Sequence, residues 1–170
     1  MEANLIITFD PNHAGLAKEE AKKIISEIGQ EAEFEEIEVP GVFEVKVDDP
    51  KELVKKAREL CQENPDMFEK TFKWIPIEKW CSSDVSDMQE TIVSLIERID
   101  KDDKWKLDLG KRKYDMPTNE LIIKLTDPID RPHVDLKNPD KIVEVQIIGN
   151  KAGISILNAD EFLDVQKIKR

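Results

Sequence analysis

The order in which the hydrophobic period changes constrains this chain most. Leu5 to Phe9 is a short apolar run ended by Asp10-Pro11-Asn12 and suits a central strand. From Leu16 to Ile28 the residues Ala17, Ala21, Ile24, Ile25 and Ile28 recur at three and four, with Gly29 as a stop, which predicts an amphipathic helix. Phe34 to Val39 and Val42 to Val47 flank Pro40-Gly41, a type II turn pair, and predict a hairpin. Asp49 as N-cap and Pro50 at the first helical position open a second helix with the stripe Leu53, Val54, Ala57, Leu60 and Cys61, closed by Asn64-Pro65. Met67 to Ile77 then reads as a long strand.

Strand, helix, strand, strand, helix, strand is the split βαβ order of a ferredoxin-like fold. The term describes topology alone, because an iron-sulfur cluster needs four cysteines and this half holds only Cys61. In the second half Val85, Met88, Ile92, Leu95, Ile96 and Ile99 follow the capping candidates Ser82, Ser83, Asp84 and Ser86 at helical spacing. Trp105, Leu107 and Leu109 alternate with Lys106, Asp108 and Gly110, predicting a strand with one buried and one polar face. Pro117-Thr118-Asn119-Glu120 opens another helix, through Leu121, Ile122 and Leu125 to Asp127-Pro128. A proline-punctuated connector leads to Ile142 to Ile148 and, across Gly149-Asn150, to Ala152 to Leu157, a second hairpin. The expected class is α+β, with boundaries at 1–77, 78–158 and a tail or short appended element over 159–170.

With 37 acidic and 26 basic residues the formal net charge is -11, which argues against a polyanionic partner until its distribution is considered. Residues 1–67 hold 8 basic and 17 acidic residues, 68–113 hold 10 of each, and 114–170 hold 8 and 10. The acid sits in the first third. Lys104, Lys106, Lys111, Arg112 and Lys113, opposed only by Asp108, form the one local basic concentration, read either as a solvated strand edge or as a nucleic-acid contact.

The chemistry of several enzyme classes is missing. The six glycines fall singly, so neither phosphate-cradling glycine motif occurs and no cofactor is expected. His13 and His133 lack partners at ligand spacing, so no metal is expected. Cys81 has only Lys79 nearby to activate it, and no catalytic residue is assigned. Met1-Glu2-Ala3-Asn4 is not a leader, and no apolar stretch approaches a membrane span, so a cytoplasmic protein without membrane association is expected.

Four stretches carry a family resemblance: FKWIPIEKWCSS (Phe72 to Ser83), WKLDLGKRKYD (Trp105 to Asp115), PTNELIIKL, and HVDLKNPDKIVEVQIIGNKAGISIL (His133 to Leu157). In this order they resemble the THUMP domain, an RNA-binding module of tRNA-modifying enzymes such as 4-thiouridine synthetases and tRNA guanosine methyltransferases. A preceding ferredoxin-like domain is usual in that family, so the resemblance implies an N-terminal ferredoxin-like (βαββαβ) domain followed by an α/β THUMP domain. No catalytic domain is expected beside the two halves, an organisation similar to that of the small THUMP proteins that assist RNA cytidine acetyltransferases. The resemblance therefore implies a non-enzymatic protein that binds the acceptor stem and 3′ end of tRNA on both halves and presents the tRNA to a separate modifying enzyme, such as an acetyltransferase. An acidic protein-interaction scaffold without RNA binding is the alternative. Lys73, Lys79, Lys104, Lys106, Lys111, Arg112, Lys113, Lys137 and Lys151 are the expected RNA contacts, with Trp74 or Trp80 as base-stacking or inter-domain residues.

Overall fold

The computed structural model describes residues 2–170. The chain divides into two compact units, Met1–Ile77 together with Asp160–Arg170, and Glu78–Ala159.

The first unit runs β1 (Leu5–Phe9), α1 (Ala14–Ile28), β2 (Ala32–Glu36), β3 (Val42–Val47), α2 (Pro50–Glu63) and β4 (Thr71–Pro76). Its strands pair antiparallel in the order β2-β3-β1-β4, the ferredoxin-like arrangement expected from the sequence. The apolar stripes explain the layering: Ala17, Ala21, Ile24 and Ile25 of α1 and Leu53, Val54 and Ala57 of α2 bury against Leu5, Ile7, Phe43 and Val45. Gly29, at φ +96°, ends α1 by donating its N–H to the carbonyls of Ile25 and Ser26. Asp49 caps α2 through the Glu52 amide at 3.2 Å.

Two strands depart most from the sequence reading. β2 spans Ala32–Glu36 instead of Phe34 to Val39, its pairing with β3 ending at Glu36 opposite Phe43. β4 begins at Thr71 instead of Met67, because Pro65–Met67 make a 3-10 turn and the Glu20 carboxylate of α1 takes the next amides. Glu20 accepts from Glu69, Lys70 and Thr71 at 2.8, 3.0 and 2.8 Å.

The second unit contains β5 (Lys79–Ser82), α3 (Val85–Leu95), β6 (Trp105–Arg112), α4 (Thr118–Thr126), β7 (Lys141–Ile148) and β8 (Lys151–Asn158). The sheet order is β5-β8-β7-β6, antiparallel except for the parallel β6/β7 pair, which α4 connects as a crossover. β5, only four residues long, shows no strand pattern of its own in the sequence. Met88, Ile92 and Leu95 of α3 and Leu121 and Leu125 of α4 cover Val143, Val145, Ile147, Ile154 and Ile156. Trp105, Leu107 and Leu109 of β6 pack against this same core, as their alternation predicted.

The last residues return to the first unit, as β9 (Leu163–Asp164) and α5 (Val165–Lys169). β9 pairs antiparallel with β4, Lys73 opposite Asp164 and Trp74 opposite Leu163. Arg58 Nη1 donates to the Phe162 carbonyl at 2.9 Å, and Lys169 Nζ donates to that of Phe68 at 2.8 Å. Leu163 and Val165 are core residues. The stretch read as a tail or appended element is thus an edge strand and helix of the ferredoxin-like unit.

Candidate nucleic-acid interface

The register of the second sheet decides which basic residues meet. The parallel pairing sets Arg112 beside Ile148, the hairpin sets Ile148 beside Lys151, and β5 sets Lys151 beside Ser82. Since neighbours in register point to the same side, Arg112 and Lys151 lie in one row at one end of the sheet. Lys111 and Lys113 flank Arg112 at this end.

The end is built by bonds between distant segments. The Gly149 amide donates to the Arg112 carbonyl at 2.9 Å, tying the β7–β8 turn to the end of β6. Ser83 Oγ donates to the Gly149 carbonyl at 2.8 Å, the Ser83 amide donates to Asn150 at 3.0 Å, and Tyr114 donates its hydroxyl to the Ser83 carbonyl at 2.7 Å. Lys111 Nζ donates to the Met116 carbonyl at 2.6 Å, at the start of α4. The N-termini of α3 and α4 therefore lie at this same end, and neither N-cap residue, Asp84 or Pro117, makes a side-chain capping bond. Helix N-termini carry partial positive charge and exposed amides suited to anions.

The basic residues here differ in what they can do. Lys113 is exposed at φ +54°, a left-handed position in which β6 turns away. Lys151 Nζ lies 4.6 Å from the centroid of the half-buried Trp80 ring. Arg112 is half-buried and donates through Nη1 to Gln146 Oε1 at 3.3 Å, while Gln146 Nε2 donates to the buried Glu144 at 2.5 Å. Burial lowers the Arg112 guanidinium pKa from its ordinary value, although arginine so placed stays charged. One arm of its fork is therefore engaged within the sheet.

The other expected contacts lie elsewhere. Lys104 and Lys137 belong to the opposite end of β6, a strand length of roughly 26 Å away. There Asp135 gathers both: its carboxylate accepts from the amides of Lys137 and Asn138 at 2.9 and 3.0 Å, and lies 4.0 Å from Lys104 Nζ. The Asn138 and Lys137 amides hold the Asp135 pKa below the usual carboxylate range. Lys106, half-buried, pairs with Ile142 near this second end. Lys79 Nζ donates to Ser94 Oγ of α3 at 2.8 Å. Lys73 sits in β4 of the first unit, its Nζ 6.0 Å from the Phe162 ring centroid. Trp74, read as a stacking or inter-domain residue, is instead a fully buried core side chain of the first unit, its indole N–H on Thr71 at 3.1 Å. The sequence carried no local signal for the Ser83, Tyr114 and Gly149 linkage.

Residues 83–157 match the THUMP domain family. The fold and this match describe an α+β protein with a ferredoxin-like unit and a second unit that matches the THUMP domain. Similar solved structures include PH1313 from Pyrococcus horikoshii, 16% identical, covering 92% of this chain and 55% of that one with a TM-score of 0.60. TrmN from Thermus thermophilus is 16% identical, with coverage of 89% and 44% and a TM-score of 0.55. A 4-thiouridine synthetase solved with RNA and ATP is 13% identical, with coverage of 96% and 42% and a TM-score of 0.51. At such identities the likeness is one of fold, and this chain spans about half the length of these proteins. No curated protein sequence matches. Among the described residues no helix is long and apolar enough to cross a membrane.

Proposed function

We propose that this chain is a non-catalytic tRNA-binding protein that docks the acceptor 3′ region and presents the tRNA to a separate modifying enzyme such as an RNA cytidine acetyltransferase, acting in the cytoplasm. The observation that carries this reading is the convergence of Lys111, Arg112, Lys113 and Lys151 with the N-termini of α3 and α4 at one end of a THUMP domain. A-form RNA hides its major groove, so a module of this size gains most from phosphates, 2′-hydroxyls and a single-stranded end. The thiols favour a non-catalytic role: burial raises the pKa of both Cys61 and Cys81, which depletes the nucleophilic thiolate.

A second reading, an acidic protein-interaction scaffold, draws on the first unit, whose 13 basic and 21 acidic residues leave a net charge of -8. Salt titration of binding to an intact tRNA and to the same tRNA without its single-stranded 3′ end, by fluorescence anisotropy, separates the two. The RNA reading expects a linear fall of log affinity with log salt, about 0.7 per single-strand phosphate contacted, and much weaker binding of the truncated RNA. Absence of binding to either RNA at low salt supports the scaffold.

A further inference from the structure

At the end of the second sheet that carries Arg112, the ammonium of Lys151 is held against an indole. β5 pairs with β8 so that Ser82 lies opposite Lys151 and Trp80 opposite Gly153. Alternate residues of a strand share a face, so Trp80 and Lys151 are diagonal neighbours on one side of the sheet, a spacing that aromatic and long side chains bridge. Gly153 brings no side chain to the position beside the indole, and Lys151 Nζ lies 4.6 Å from the ring centroid. At that distance the ring quadrupole attracts a cation. Both residues are half-buried, and partial desolvation strengthens the attraction.

An indole acts on a lysine differently from a carboxylate. A carboxylate fixes the ammonium and offsets its charge as seen from a distance, whereas a neutral ring fixes it and leaves the charge whole. The two ends of β6 divide along this line. At the end near Trp105, Lys104 Nζ lies 4.0 Å from Asp135 and Lys141 Nζ 3.3 Å from Asp103. At the Arg112 end the Met116 carbonyl accepts from Lys111 Nζ, Gln146 Oε1 accepts from Arg112 Nη1, and the Trp80 ring takes Lys151. None of these three groups is charged. A lysine side chain that is already held also loses less rotamer freedom when it meets a ligand than one that must first be ordered.

We infer that Trp80 is a positioning residue for RNA: its ring holds Lys151 in the row of Arg112 with its charge intact, so that the ammonium meets an RNA phosphate already placed. The inference rests on the RNA reading above and deepens it. It gives the indole a part other than base stacking, because Trp80 acts through Lys151.

The test compares the wild type, Trp80→Leu, Trp80→Phe, Lys151→Met and the double variant Trp80→Leu/Lys151→Met, each as the full chain with circular dichroism as the control for folding. Binding of an intact tRNA is read by fluorescence anisotropy at low salt. Trp80→Leu is expected to weaken binding about two- to fivefold, the factor that a cation–π contact near the surface is worth, and Trp80→Phe, which keeps a ring, to restore most of it. In the Lys151→Met background Trp80→Leu should change nothing further. The same loss from Trp80→Leu with and without Lys151 overturns the inference, since the indole would then act on RNA or on the fold directly. Trp80→Phe binding as weakly as Trp80→Leu overturns it too. A second readout needs no RNA: in the NMR spectrum of the wild type the Lys151 ε-methylene protons should carry an upfield ring-current shift that Trp80→Leu removes, and unshifted protons overturn the inference. A wild type that shows this shift yet binds no tRNA overturns the RNA reading itself, and the positioning role falls with it.

Discussion

A Cβ on Gly110 would fall 2.2 Å from Oε1 of Gln146, so the glycine is the space in which the glutamine side chain lies. From there Gln146 accepts from Arg112 and donates to Glu144, and it is only 2% exposed. Gly110→Ala is expected to displace the Gln146 amide and lower stability by about 1–3 kcal/mol, the cost of leaving buried polar groups unsatisfied. Urea denaturation with unchanged m-value checks the magnitude. Gln146→Ala should make Gly110→Ala nearly neutral in a double-mutant cycle.

The two ends of β6 should differ in RNA binding. Lys113→Glu, at the end shared with Lys151 and two helix N-termini, is expected to weaken tRNA binding about tenfold at low salt and to reduce the salt slope by about 0.7. Lys104→Gln and Lys137→Gln, at the Asp135 end, should leave the slope unchanged. An equal loss from both ends would show that contact follows the whole strand.

Removing residues 160–170 is expected to destabilise the first unit by several kcal/mol. The deletion takes away Leu163 and Val165, each nearly fully buried, and a buried side chain of this size contributes roughly 1.5–3 kcal/mol. It also uncovers β4 and leaves the Arg58 guanidinium without the Phe162 carbonyl. The denaturation midpoint of the truncated chain measures this.

Acid sensitivity of the second unit should trace in part to Asp135. Its folded pKa lies below the usual carboxylate value, so its contribution is present above that value, about 3.9 for an unfolded chain, and disappears as pH falls through the folded one. Thermal midpoints of wild type and Asp135→Asn should therefore differ at pH 6, and the difference should shrink as the pH falls below the ordinary carboxylate value of about 3.9. A constant difference across this range would assign the effect to packing instead of ionisation.

The ferredoxin-like order of residues 1–77 was legible because each element declares itself locally: Ala17 to Ile28 by its three-and-four spacing, the β2–β3 hairpin by Pro40-Gly41, α2 by Asp49-Pro50. The buried face of β6 was legible for the same reason. β5 was not, since four residues give too short a pattern, and β9 was not, since two residues gain strand character only from their partner β4.

What the sequence determined by itself was thus the longer elements and their buried faces, the THUMP resemblance of the second half and the identity of the basic residues, all properties of neighbours along the chain. Tertiary structure alone decided which charges meet. Lys104 and Lys113 stand in one short basic run, yet an extended strand carries them to opposite ends of a sheet, one beside Asp135 and the other near Lys151, which is 38 positions further on. Charge acts through distance in space, and strand register, set by pairing between remote segments, is what converts sequence position into that distance.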